Sequence, residues 1–264
     1  MDNIFSLKLA LSFLIGGLWV LFASILADKF GSKIGGFIGG LPSTIVFSMF
    51  FLAWTQDPKF AVQATTITPV IGGINCLFLT CYIYYVRKSL WKAICIAFVF
   101  WFSITYILIA THFSNYLISL FIYILLLGFS FIFTEKYLKT KSILSKKVIY
   151  SPLLILSRCI IGGMVVALSV YFGKIGGPVL GGILSMFPAM FTSLMIITYL
   201  AHGPDFSASV MKTAMISGIS IVIHSVVVRY TYIPLGLLVG TLVSTLTSFG
   251  SGYLIYKFIV TRLK

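Results

Sequence analysis

Gly31-Ser32-Lys33-Ile34-Gly35-Gly36-Phe37-Ile38-Gly39-Gly40-Leu41-Pro42 returns 146 positions later as Gly177-Pro178-Val179-Leu180-Gly181-Gly182-Ile183-Leu184-Ser185-Met186-Phe187-Pro188. Gly31/Gly177, Gly35/Gly181, Gly36/Gly182 and Pro42/Pro188 are identical. Upstream, Ile15-Gly16-Gly17 matches Ile161-Gly162-Gly163, and Val20 matches Val166. Downstream, Met49/Met195, Pro58/Pro204, Phe60/Phe206 and Gly72/Gly218 keep the offset, so the echo runs without a gap over residues 12–73. In an apolar chain, matches of Leu or Ile arise easily. Gly and Pro set special backbone conformations, so a shared framework of them predicts two halves with the same bends. In a membrane protein, that pattern points towards transport.

The setting is a bilayer. Of 264 residues, 59% are hydrophobic and 9% charged, with mean hydropathy +1.10. About 20 apolar residues cross a bilayer as one helix, and no soluble core needs so much apolar sequence. The longest polar stretch, 134–151, is too short for a separate soluble domain. A net charge of +14 would suggest nucleic acid in a soluble protein. Here the cations lie mainly between apolar runs, which is a topology signal, and no nucleic-acid partner is expected. The apolar run from Leu9 to Ala27 is long for a signal peptide, and only Lys8 and Asp2 precede it as charges. Because Gly16-Gly17 is repeated inside the chain, this run is read as a retained helix. Cys76, Cys81, Cys95 and Cys159 all fall in apolar runs without a CxxC spacing and read as small buried thiols.

Nine apolar runs are expected to cross: 6–27, 34–54, 60–85, 91–111, 116–134, 152–172, 177–200, 206–228 and 232–257. With the N-terminus outside, fifteen Lys and Arg residues fall on the cytoplasmic side and four (Lys8, Lys59, Lys174, Arg229) on the other. That bias predicts N-out, C-in. The first run matches the sixth, five crossings later, and an odd separation reverses orientation. The fold class is therefore all-α and polytopic, with an inverted-topology repeat in which runs 1–3 pair with 6–8. The expected division is 1–111 for the first repeat, 112–151 for a connector helix and basic cytoplasmic loop, and 152–264 for the second repeat. The inversion requires runs four and five to be two crossings; the short polar link 111–115 favours this over a re-entrant pair.

Gly35/Gly39, Gly36/Gly40 and Gly177/Gly181 have the four-residue spacing of a close-packing helix face. Pro42 and Pro188 each remove a donor within an apolar run and free a carbonyl that lipid cannot satisfy. Two readings follow: kinked packing helices whose hydroxyls bond back to the main chain, or a pair of broken helices meeting at a pseudo-symmetric substrate site. On the second reading the binding residues are Pro42, Ser43, Thr44, Ser185, Pro188, Thr192 and Ser193. The polar faces of runs three and eight add Thr65, Thr66, Asn75, Ser209, Lys212, Thr213, Ser217 and His224. Lys212 either snorkels to the interface or points inward to bind an anion. Asp57-Pro58 and Pro204-Asp205 read as helix starts, and on opposite membrane faces they are candidate gates.

No Asp or Glu lies central to any run, which disfavours a carboxylate-driven proton pump or a cation carrier. An anionic or amphiphilic solute remains, bound by hydroxyls and helix N-termini. There is no HExxH, acidic metal cluster or nucleophile–base arrangement, so neither an enzyme, a metal nor a cofactor is expected. The run Gly176 to Ser193, with Gly181-Gly182 and Phe187-Pro188, and ending Tyr199-Leu-Ala-His-Gly203, resembles the glycine-rich signature of GlpM-like, DUF3147-type small bacterial inner-membrane proteins. The first half departs from it at Leu41. The resemblance implies a fused pair of such units in the bacterial inner membrane and supplies no substrate. The sequence thus predicts a secondary transporter or exporter working by alternating access. A lipid or lipid-linked-carrier flippase, a channel and a non-transporting membrane scaffold are the alternatives. The partners are membrane lipids, an unidentified small-molecule or lipid substrate, and, as an open option, a second copy in a homodimer.

Overall fold

The computed structural model describes residues 3–30, 42–140 and 152–258, with the side chains of 26–30 excepted. The glycine spacing of 35–40, the basic stretch 141–151 and the C-terminal cations Arg262 and Lys264 lie outside the described residues. The helices are α1 (Asn3–Phe30), α2 (Ser43–Thr55), α3 (Pro58–Ala64), α4 (Thr68–Tyr85), α5 (Leu90–Ala110) and α6 (Tyr116–Ile132). They continue with α7 (Pro152–Ser185), α8 (Ala189–His202), α9 (Pro204–Ser217), α10 (Ile219–Thr231) and α11 (Gly236–Phe258). A π turn, Phe133–Tyr137, prolongs α6. Among the described residues, seven helical stretches are long and apolar enough to cross a membrane, consistent with a polytopic membrane protein.

One of those stretches, Pro152–His202, has 51 residues. At about 1.5 Å per residue it would overshoot the ~30 Å hydrocarbon core more than twofold if straight. It is not straight. Gly177 adopts φ 86°, ψ 175°, a region open essentially only to glycine. Beyond it, Gly181 returns against Gly173 and Ser169, so the chain doubles back. Pro178 tolerates this place because it opens the returning segment, where a missing N–H costs nothing. The expected packing role of Gly177 is thus corrected: its Cβ position faces open space, and the residue makes the bend. Gly182 does pack closely, with its Cβ position against the Ala64 carbonyl oxygen.

α1 and α7 form an extended pair. Phe5 meets Lys174, Phe13 meets Gly163, Gly16 meets Val166, Val20 meets Gly162 and Ser24 meets Arg158. Partner numbers fall overall as α1 advances, so the helices are antiparallel. The small residues at 16, 17, 162 and 163 permit this approach, because bilayer helices are held by packing and hydrogen bonds rather than by water exclusion.

α4 is the central helix. The pairs Asn75–Trp101 and Phe78–Phe98 make α5 antiparallel to it. Val70–Ser119 and Gly73–Leu126 make α6 parallel to it. α5 and α6 therefore run in opposite directions across the turn at 111–115, where the Asn115 side chain caps the Ile118 N–H at 3.1 Å.

The third and eighth apolar runs are each broken. α3 stops at Ala64 and α4 begins at Thr68. The gap is satisfied from other helices: Arg229 donates to the Val62 carbonyl at 3.3 Å, and Ser119 accepts from the Val70 N–H at 3.0 Å. The eighth run divides at Gly218 between α9 and α10. Periodicity does not reveal such breaks, because residues on both sides are equally apolar.

Candidate functional site

The two prolines anticipated as helix breaks start the helices that follow them. Pro42 is the N-cap of α2, and Pro188 that of α8. Both are buried and line one cavity of about 30 Å³. Ser43, Thr44, Asn75 and Ser185 share this wall, with Ile45, Met186, Phe187, Met190, Phe191 and Ile221 as its apolar part. At roughly 10–15 Å³ per water, the space holds about two waters. The lining repeats at the sequence offset: Pro42 with Pro188, Thr44 with Met190, Ile45 with Phe191, and Asn75 with Ile221. An adjoining pocket of about 10 Å³ is lined by the matched Gly72 and Gly218. Gly72 is needed there, since a Cβ would lie 2.6 Å from Val222.

Asn75 is the polar centre of this wall. The break at 186–188 leaves the Met186 carbonyl without a helical partner, and the Asn75 amide donates to it at 2.9 Å. The Asn75 carbonyl in turn accepts from the Trp101 indole N–H at 2.8 Å. A carbonyl freed inside the bilayer must find a donor in protein, and this chain supplies one from α4. Trp101 is not legible as part of the site from sequence, because an aromatic in an apolar run carries no signal of what its N–H will reach.

The remaining residues do not converge here. Thr192 and Ser193 lie one turn into α8 and line a different cleft. Ser185, Thr192 and Ser193 each donate to a carbonyl of their own helix stretch, at 2.7 to 2.9 Å. Thr65 and Thr66 sit at the α3–α4 break beside Arg229, whose guanidinium also stacks 4.1 Å from the Tyr116 ring. Ser209, Thr213 and Ser217 are buried, so their stripe faces the bundle as expected, and Thr213 and Ser217 bond back along α9. His224 is fully buried in α10.

Of the two readings of Lys212, the structure follows the inward one: it does not snorkel, and it does not line the proline cavity. It is 1% exposed, pairs with Glu135 on the π turn and donates to the Thr140 carbonyl at 2.8 Å. The anionic group expected opposite this lysine is the protein's own carboxylate. The π turn carries Glu135, which the sequence places at the edge of an apolar run, to α9, and no local pattern announces that contact. Also missed was a buried knot tying α4, α8 and α9: Tyr82 Oη lies 2.7 Å from Ser207 Oγ, which accepts from Thr198 at 2.9 Å.

The gate candidates are helix starts. Asp57 accepts from the Phe60 N–H at 2.8 Å, with Pro58 in the first turn. Gly203, at φ 82°, starts α9 with Pro204. Asp205 makes an exposed ion pair with Arg87 at 2.8 Å. Such a surface pair contributes little stability, about 0–1 kcal/mol. Arg229, at the far end of α10, reaches back to Val62 in α3, so Asp57 and Asp205 mark opposite ends of the bundle.

No curated protein and no solved structure is significantly similar to this chain. A family model described as "Protein of unknown function (DUF3147)" matches residues 9–114; the stretch Gly176 to Gly203, which carries the resemblance in the sequence, lies outside that match. Over that span, which holds most of α1, all of α2, Pro42 and Asn75, the chain is similar to this family.

Proposed function

We propose that this chain is a nine-crossing carrier of the bacterial inner membrane, N-out and C-in, built from two inverted copies of one unit. The carrier would move a small anionic or amphiphilic solute by alternating access around the Pro42/Pro188 cavity. The observation that carries the reading is the cavity lining, which repeats at the sequence offset and contains both proline breaks.

Three further facts support the inverted duplication. α2 and α8, α3 and α9, and α5 and α11 each start at the same offset, at Ser43/Ala189, Pro58/Pro204 and Leu90/Gly236. The bend at Gly177 falls at the counterpart of Gly31. The α1–α7 contacts are reciprocal: Gly16 meets Val166 while Gly162 meets Val20, and Gly17 meets Cys159 while Gly163 meets Phe13. Reciprocity of this kind is the mark of a two-fold axis, and between antiparallel helices that axis lies in the membrane plane.

A cavity for about two waters fits an occluded state of such a carrier. The second reading is a membrane scaffold. It is favoured by the back-bonded hydroxyls of Ser185, Thr192 and Ser193, which leave little polarity for a solute. Proteoliposomes test the choice, using counterflow of labelled organic anions and scrambling of fluorescent phospholipid. A carrier gives saturable movement of at least one, lost in a folded Pro42→Ala/Pro188→Ala variant. Movement of neither, or no effect of the double substitution, overturns the carrier reading and leaves the scaffold.

A further inference from the structure

A cleft of about 260 Å³ lies between α5, α7 and α8, walled by Phe98, Leu154, Ile161, Phe187, Ser193 and Ile197 among others. Its hydroxyls, on Ser157, Thr192 and Ser193, each donate to a carbonyl of their own helix stretch. The wall facing the space is thus effectively apolar. An apolar cavity of about 150 Å³ stays dry and takes up a benzene, so this cleft suits a run of methylenes better than water. Its α7 side continues into Leu153 and Leu156, 75% and 53% exposed. Those side chains belong to the surface that meets hydrocarbon in a bilayer.

Side chains, not the fold, leave this corner open. At the repeat offset, Ser193 corresponds to Phe47, Val165 to Trp19 and Ser103 to Phe249. Trp19 packs on Phe47 at 5.5 Å and stacks on Phe249 at 6.3 Å, closing the equivalent corner between α1, α2 and α11. Of the three positions that answer these rings, Ser193 lines the cleft, and it brings a hydroxymethyl where Phe47 brings a ring. The open corner also borders the proline cavity. Phe187 lines both spaces and is held edge-on by the Trp101 ring at 5.3 Å.

We propose that this cleft binds an acyl chain of a bilayer lipid, with Phe187 as the wall between that chain and the proline cavity. The site stands whether or not the proline cavity carries a solute, so its test reads binding and not transport. The protein is reconstituted in phosphatidylethanolamine–phosphatidylglycerol vesicles containing a phospholipid with a photoactivatable acyl chain, irradiated, and mapped by peptide mass spectrometry. Adducts are expected within 154–161 and 192–197, falling about tenfold in Ser193→Phe, which places the ring of the other half in the cleft. If Ser193→Phe does not fold, Ser193→Leu serves as the milder filling. Phe47→Ser is expected to gain adducts on α2. Adducts confined to the outward Leu153 and Leu156 and unchanged by filling would show surrounding lipid only and overturn the site.

Discussion

Gly163 lies against Phe13 so closely that a Cβ on it would stand 2.5 Å from the Phe13 carbonyl oxygen. Its repeat mate, Gly17, faces the Cys159 carbonyl at 2.9 Å. In both cases the obstacle is backbone, which cannot swing aside. Gly163→Ala and Gly17→Ala should each force α1 and α7 apart, costing about 1–3 kcal/mol. Gly128→Ala, in α6 with nothing within 4 Å, should be neutral or slightly stabilising. Thermal denaturation in detergent, followed by size-exclusion fluorescence, checks the order; equal midpoints for Gly163→Ala and Gly128→Ala would contradict the helix pairing.

Asn75 serves two groups at once. Asn75→Leu strips both the Met186 carbonyl and the Trp101 indole N–H of a partner, at about 1–3 kcal/mol for each buried orphan. Trp101→Phe leaves the Met186 bond in place and should cost less through hydrogen bonding. The double variant should be less destabilised than the sum of the singles, because the two residues share one bond. Strict additivity in the same denaturation assay would break the link between α5 and the 186–188 gap.

Lys212 and Glu135 make an ion pair of which only the lysine is buried. The lysine is sealed at 1%, while the carboxylate side chain is 37% exposed. Glu135→Gln therefore leaves a charge inside the bundle and should destabilise by about 3–5 kcal/mol. Lys212→Met/Glu135→Gln, lacking any unpaired charge, should recover most of that loss. A double variant that folds well but no longer moves solute in proteoliposomes would return Lys212 to the substrate site.

Asp57 and Asp205 mark opposite ends of the bundle. In a background with Cys76, Cys81, Cys95 and Cys159 replaced by Ala, a membrane-impermeant thiol reagent should label Asp57→Cys in intact cells. Asp205→Cys should be labelled only after permeabilisation. Equal labelling from one side would refute the inverted arrangement, and the reverse pattern would turn the whole bundle over.

The glycines and the Phe-Pro pair of the second half act at two scales. Gly181 and Gly182 seat the short returning segment of α7 against Gly173 and against the α3–α4 break. Phe187-Pro188 makes the next break and one wall of the cavity. Their Gly and Pro chemistry is visible in the sequence because it acts through the backbone of the residue itself. What they pack against is not visible, because it depends on helices far away in the chain.

The sequence by itself determined the helical, bilayer-adapted class, most helix limits and the two proline-led starts. Apolar length, terminal capping residues and backbone-restricting residues act locally and leave local marks. The offset of the echo also named the residues that line a common cavity. Only the tertiary structure decided that Lys212 is answered by Glu135, that Asn75 satisfies the Met186 carbonyl, and that Ser193 stands at an open corner where Phe47 closes the other. Those outcomes depend on which partner reaches a buried polar group or an unfilled volume once the helices have packed, a competition no single segment of chain can settle.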